Sequence, residues 1–408
     1  MAVRALGSQG CSSSLGVVAT QEVTVLDQAQ IDRLRRTDTG GYPVLSVYVN
    51  LQPGPEALRN LPARIKDLLS QADGSSDALS RSQRLSVQGD IQALSRDVGR
   101  FGADLGHGVA LFRSSGAGLD EQFALPGPVR DRAIVDDASY LRPLEAMIEH
   151  YQRYCVAIIG RRLGSVFRFS MDQLDTWEEM RDEEIRKANY GGFSGYEEQR
   201  VRARADEMAA RHYRHVADRL TELRRSDSGF DLLIVGGSDV HVAGLLEALP
   251  PDVASLSAGT FVIDPGTMTP ATVLDHARRV AGEWEVQEER RLVADLFDAA
   301  ASGRMAVLGL EETCAAVNRR SVEVLYVQAE HTTPGSTCLN CERVTCELGP
   351  ICQSCGGPLR SIPDVVDRLS ESVRATGGRV RHILNSGPLA DVEAGALLRY
   401  RDRMVDPT

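Results

Sequence analysis

No apolar run in the 408-residue chain approaches the ~18 residues that a membrane-spanning helix needs. The longest are short, such as Leu232-Leu233-Ile234-Val235. The N-terminus also lacks a charged-then-apolar leader, so the expected location is the cytoplasm, with no membrane partner. Aromatic residues make up only 5%, which argues against a lectin-like or stacking-dominated surface. An overall basic charge is missing too: the formal net charge is −11. Net charge governs solubility and nonspecific association, whereas contact with RNA depends on where the basic residues sit. No Walker lysine and no Gly-x-Gly-x-x-Gly follows Gly236-Gly237, which leaves only a weak phosphate-loop hint there. The histidines are scattered and form no metal or triad pattern.

What is present is an ordinary globular composition, 42% hydrophobic and 25% charged, long enough for two to four domains at roughly 100–200 residues each. Residues 1–40 carry Gly, Ser and Thr clusters and are expected to be a mobile leader, with one short helix around Asp27–Arg36. Val44–Val49 alternates as a strand, and helices are expected over Ala57–Ala72 and Arg81–Gly99, with further strands to Ile134. A second unit opens with Cys155–Gly160 and Gly164–Phe169, read as a hairpin. The acidic stretch Asp172–Glu184 reads as the exposed start of a helix, or as a protein-partner surface. A long charged helix is expected over Tyr196–Arg225, then a buried strand over Asp231–Gly237. The third unit starts with a helix at Trp284–Ala301, followed by strand, helix and strand to Val327, a cysteine insert, and a last helix and strand to Leu384. The fold class is α/β, in three domains: 41–150, 151–283 and 284–408, the last with an insert at 336–360.

Cysteine usage is uneven. Cys11, Cys155 and Cys314 stand alone, and the latter two lie in apolar stretches that suit buried thiols. The other five, Cys338, Cys341, Cys346, Cys352 and Cys355, crowd into 18 residues. With no secretion signal, metal is favoured over disulfides. Two Cys-x-x-Cys pairs, Cys338/Cys341 and Cys352/Cys355, can close a four-thiolate zinc site, with Cys346 a possible substitute ligand. Four protein ligands leave no open position for water, so the zinc is expected to be structural.

Three separated stretches resemble the archaeal and eukaryotic class-one peptide-chain release factors and their paralogue Pelota. They are Arg84–Ile91, Glu288–Asp298 continued by Gly309–Thr313, and the paired cysteines with Asp364–Thr376 and Gly395–Tyr400. Their order and spacing agree over most of residues 43–400. The resemblance implies a decoding domain, a central ribonuclease-H-like domain and a C-terminal domain like the kink-turn-binding ribosomal proteins.

The functional motifs of that family are incomplete here. Where the codon-reading Asn-Ile-Lys-Ser would fall, the chain has Asp77-Ala78-Leu79-Ser80, and of the second codon-reading motif only Tyr140 survives. The catalytic Gly-Gly-Gln is replaced by Gly191-Gly192-Phe193-Ser194-Gly195-Tyr196-Glu197-Glu198-Gln199, with six residues between Gly192 and Gln199. Catalytic residues are therefore expected to be absent, Gln199 being the weak candidate, with Gly191, Gly192 and Gly195 marking the degenerate loop. Arg200, Arg202, Arg204 and Arg211 lie on the helix that follows. An isolated charged helix is ordinarily a solvated face, but the resemblance implies contact with ribosomal RNA or P-site tRNA, for which the arginine fork is suited.

The expectation is a monomeric translation factor, similar to bacterial members of the Balon type, that binds the ribosomal A site whatever the codon, in hibernation or on stalled ribosomes. Elongation factor Tu is a possible escort by the same resemblance. Two alternatives stand beside it: a rescue factor that hydrolyses peptidyl-tRNA through Gln199, and an RNA-binding or scaffold protein that never enters the ribosome.

Overall fold

The structure, a computed structural model, describes residues 24–51, 55–74, 79–97, 107–150, 153–170, 173–182, 196–226, 229–385 and 387–400. The fold is mixed α/β, built on three larger sheets and one small one. Among the described residues no helix is long and apolar enough to cross a membrane.

The N-terminal sheet comes from β1 (Thr24–Val25), β2 (Val44–Asn50), β3 (Gly108–Ser114), β4 (Leu119–Leu125) and β5 (Arg132–Asp136), with α1 (Gln28–Arg35), α2 (Pro55–Gly74), α3 (Arg81–Asp97) and α4 (Arg142–His150). Its order is β1-β4-β3-β2-β5, antiparallel except where β1 runs parallel to β4. Alternation along β2 divides its side chains between two cores. Leu45, Val47 and Val49 face α2 and α3, while Val44 and Tyr48 face α1 and α4. The short helix expected around Asp27–Arg36 is present as α1. It belongs to the packed sheet and not to a mobile leader: β1 pairs with β4, and α1 buries Ile31 and Leu34 completely or nearly so. A capping box starts that helix, Asp27 Oδ1 accepting from Gln30 N at 2.8 Å and Gln30 Oε1 from Asp27 N at 3.3 Å.

The central sheet is β6 (Tyr154–Ile159), β7 (Leu163–Ser170), β8 (Gln173–Arg181), β9 (Leu232–Gly237) and β10 (Ser257–Phe261), in the order β10-β9-β6-β7-β8. The first three of that order are mutually parallel and β7 and β8 antiparallel. On one face lie α5 (Tyr196–Arg225), α6 (Asp239–Ala248) and α7 (Pro251–Ala254). The other face is covered by the first half of α8 (Pro270–Ala301) through Val273, Ala277 and Val280. The acidic stretch expected to start a helix is instead β8, an edge strand paired along β7. Trp177 anchors it by stacking on Phe167, centroids 5.5 Å apart. Gly164 of β7 lets α5 approach closely, since a Cβ there would sit 2.8 Å from Val216 Cγ2.

Helix α8 continues past residue 283, where a domain boundary was expected. Its second half packs Val293 and Leu296 onto the C-terminal sheet. That sheet is β11 (Ala306–Leu308), β12 (Val322–Gln328), β16 (Arg379–Ile383) and β17 (Ala394–Leu398), ordered β11-β17-β12-β16. Its other face carries α9 (Leu310–Asn318) and α10 (Val365–Ala375), and α11 (Leu389–Val392) closes the near side. Between β12 and α10 the chain forms a separate three-stranded sheet, β13 (Gly335–Cys338), β14 (Val344–Thr345) and β15 (Leu359–Ile362), ordered β14-β13-β15.

Candidate functional site

The small sheet brings the two cysteine pairs together. Cys338 closes β13, Cys341 follows the turn, and Cys352 and Cys355 lie on the loop before β15. Cys338 Sγ is 3.4 Å from Cys355 Sγ and Cys341 Sγ is 3.8 Å from Cys352 Sγ, and all four sulfurs lie within 4.8 Å of one another. A tetrahedral ion with Zn–S bonds of about 2.3 Å requires sulfur–sulfur edges of about 3.8 Å. The donor set therefore fits a metal ion. The backbone turns the same way: Asn340 N and Cys341 N point at Cys338 Sγ, and Gly357 N at Cys355 Sγ, at 3.4 to 3.5 Å. The Gly357 N–H lowers the Cys355 thiol to about 6, which favours the thiolate form that binds metal. Cys346, held open as a substitute ligand, lies elsewhere. Its sulfur is 3.3 Å from Cys314 Sγ on α9, a pairing across 32 positions of sequence that no local spacing announces.

Helix α5 presents the arginines expected to meet RNA. Ala205, Ala209, His212, Val216 and Leu220 repeat at helical spacing on its buried face, leaving Arg204, Arg211 and Arg214 exposed. Arg219, farther along, is tied to Glu178 of β8 at 2.6 Å and to Glu222 at 2.9 Å. Arg200, Arg202 and Gln199 belong to the first turns of α5, but their side chains lie outside the described residues, as do Gly191, Gly192 and Gly195 altogether. The weak catalytic candidate Gln199 is thus a helical residue, not one within the glycine-bearing loop. A cluster that sequence reasoning missed lies farther along the helix. His212 and His215, three apart on α5, converge on Asp182 at the end of β8. The His-x-x-His spacing was a legible signal; its acidic partner was not, because the stretch holding it was read as a helix.

Of the codon-reading positions, Asp77 and Ala78 lie outside the described residues. Tyr140 is 2% exposed and engaged on every side. Its hydroxyl donates to Asp364 Oδ2 at 2.8 Å and accepts from Arg142 Nη2 at 3.0 Å and Arg132 Nη1 at 2.9 Å. Its backbone carbonyl accepts from Tyr48. Burial first, and Asp364 beside it, push its phenol well above the ordinary range. Asp364 is the N-cap of α10, accepting from Val366 N at 3.1 Å, and pairs with the wholly buried Arg142 at 2.9 Å. Tyr140 therefore joins the N-terminal sheet to the C-terminal one instead of facing solvent. Arg368 strengthens the same junction by pairing with Asp136 and Asp137. Arg360 of β15 reaches Asp137 at 2.6 Å, which docks the cysteine insert against β5.

Three comparisons bear on this geometry. Residues 140–282 match the family model of bacterial archaeo-eukaryotic release factor family 10. The chain is 25% identical over 313 residues to peptide chain release factor subunit 1 of Methanopyrus kandleri, covering 74% of this chain and 73% of that protein. Among solved structures, an archaeal translation termination factor aRF1 aligns over 92% of this chain and 99% of its own, at 15% identity and a TM-score of 0.25. The Pelota protein of Archaeoglobus fulgidus aligns over 72% of this chain and 79% of its own, at 17% identity and a TM-score of 0.34. The region from Tyr140 through the central sheet into α8 thus matches bacterial archaeo-eukaryotic release factor family 10, and the chain as a whole is similar to an archaeal peptide chain release factor.

Proposed function

We propose that this protein is a cytoplasmic translation factor that binds the ribosomal A site without reading the codon, and that it acts in hibernation or on stalled ribosomes. The observation that carries the proposal is the burial of Tyr140. The one residue kept from the second codon-reading motif spends its hydroxyl on Asp364, Arg142 and Arg132, so it has nothing left to offer a base. The separation of Gln199 from the Gly191-Gly192 pair, and its place in α5, support the absence of peptidyl-tRNA hydrolysis. In this reading the three large sheets are three domains: a decoding-like one, a ribonuclease-H-like one and one like the kink-turn-binding ribosomal proteins. The exposed arginines of α5, with Arg200 and Arg202 ahead of them, line ribosomal RNA or a P-site tRNA, and a translational GTPase such as elongation factor Tu delivers the protein. The four cysteines hold a structural zinc. Its chemistry is to fix a short insert that has little core of its own, and no reaction step runs through it.

The test is cosedimentation of the purified protein with 70S ribosomes, with and without P-site tRNA and with different A-site codons. Pelleting that is indifferent to the codon, without release of peptide from the tRNA, is the expected result. Codon-dependent pelleting would sink the proposal. Peptide release that disappears in Gln199→Ala would replace it with the rescue-enzyme reading, and failure to pellet would leave an RNA-binding or scaffold protein.

A further inference from the structure

We propose that Asp182, His212 and His215 form a second metal site, for a divalent first-row transition ion, separate from the four cysteines. Asp182 Oδ2 lies 2.6 Å from His212 Nδ1, and Asp182 Oδ1 lies 3.4 Å from His215 Nδ1. All three groups come within 4.8 Å of one another. Metal–ligand bonds of about 2.1 Å require ligand–ligand edges of about 3.0 to 3.4 Å. The Asp182–His215 distance already fits. The Asp182–His212 distance, made by the other carboxylate oxygen, opens by a few tenths of an ångström when an ion replaces their hydrogen bond, and the two imidazoles lie within 4.8 Å of each other. Two imidazoles and a carboxylate suit Zn2+, Fe2+, Mn2+ or Co2+ and disfavour softer ions.

Where the cluster sits agrees with such a role. The carboxyl ends of the parallel strands β6, β9 and β10 open onto a crevice of about 870 Å³ lined by Arg161, Asp182, Ser238, His241 and Asp264. The connections from β6 and β9 diverge there, the place where α/β sheets ordinarily bind ligands. Of the three ligands Asp182 lines that crevice, and three protein ligands leave coordination positions for water or a small anion. Two nearby arginines do not present a bare positive field: Arg181 pairs with Glu179 at 2.7 Å and Arg161 with Asp206 at 3.7 Å. One feature limits affinity. His212 Nε2 lies against Gly164 and has no partner among the described residues. Binding at Nδ1 places the ring proton on that nitrogen without an acceptor, so this ion should be held less tightly than the one among the thiolates.

The experiment counts bound metal in the full-length protein by mass spectrometry after zinc loading and dialysis in reducing buffer, then titrates it with a chelating dye. Two equivalents are expected in wild type, the weaker of them lost to the dye first. His215→Ala removes an exposed side chain and Asp182→Asn keeps the shape of its group. Each should bind one equivalent and still melt in a single cooperative transition, and Cys352→Ser should lose the tighter one. Cobalt loaded into Cys352→Ser should show the weak visible bands of nitrogen and oxygen ligation without thiolate charge transfer. A single equivalent in wild type that vanishes in Cys352→Ser overturns the proposal and leaves a hydrogen-bonded triad. So does a second equivalent that survives both His215→Ala and Asp182→Asn.

Discussion

Tyr140, Arg142 and Asp364 form a buried unit in which each member satisfies the others. Removing one strands a polar group away from water. Tyr140→Phe is expected to cost about 1–3 kcal/mol, and Arg142→Met about 3–5 kcal/mol because it leaves the Asp364 carboxylate buried and unpaired. Shifts of the urea midpoint measure both, and the double variant should cost less than the sum. Asp136 and Asp137 make a second residue-scale prediction. Burial, despite Arg368, pushes Asp136 up to about 6. Burial acts on Asp137 too, but Arg368 and then Arg360 outweigh it and hold that carboxyl at about 2. An unfolded aspartate titrates near about 3.9. The burden of ionised Asp136 is therefore full above pH 6 and relieved as pH falls from 6 to 4. The contribution of Asp137 is present above about pH 4 and lost towards pH 2. Melting temperature against pH should lose its rise between 6 and 4 in Asp136→Asn, and lose part of its fall below 4 in Asp137→Asn.

At the scale of elements, α5 was legible to the residue because its charged face alternates with Ala205, Ala209 and Val216 at a single period. The cysteine knuckles were legible because two-residue gaps are local geometry. β8 was not: its side chains are mostly exposed, so no buried alternation marks it, and what holds it is the ladder to β7. The start of α8 was missed as well, although Thr269 caps it and Pro270 takes the first helical position. The partner of Cys346 and the environment of Tyr140 depend on contacts made across 32 and 224 positions, which no window of sequence contains. Two outcomes follow for elements. Gly164→Ala should destabilise by about 1–3 kcal/mol by forcing α5 off β7, read by thermal melting. Chelation, or Cys352→Ser, should abolish amide protection in β13, β14 and β15 while β12 and β17 keep theirs, as hydrogen exchange would report.

For the whole molecule, the N-terminal and C-terminal sheets are joined by buried charge, through Arg142 and Asp364, and by more open pairs such as Arg360 with Asp137. In the proposed reading ribosomal RNA meets the exposed face of α5, which lies on the far side of the central sheet from α8. Arg204→Glu with Arg211→Glu should weaken cosedimentation with ribosomes several-fold and flatten its salt dependence, without moving the melting temperature. An unchanged pellet would place the contact surface elsewhere.

The single helix α8, 32 residues from Pro270 to Ala301, is shared by two cores, and this makes it a ruler with a phase. Its length, about 48 Å at 1.5 Å per residue, sets the spacing between the packing sites, and each residue advances the azimuth by about 100°. One alanine inserted after Gly282 would turn the face bearing Val293 and Leu296 away from its sheet. Four would nearly restore the angle and change only the spacing. Tolerance to insertions should therefore oscillate with the helical repeat instead of declining steadily, as it would in a flexible tether.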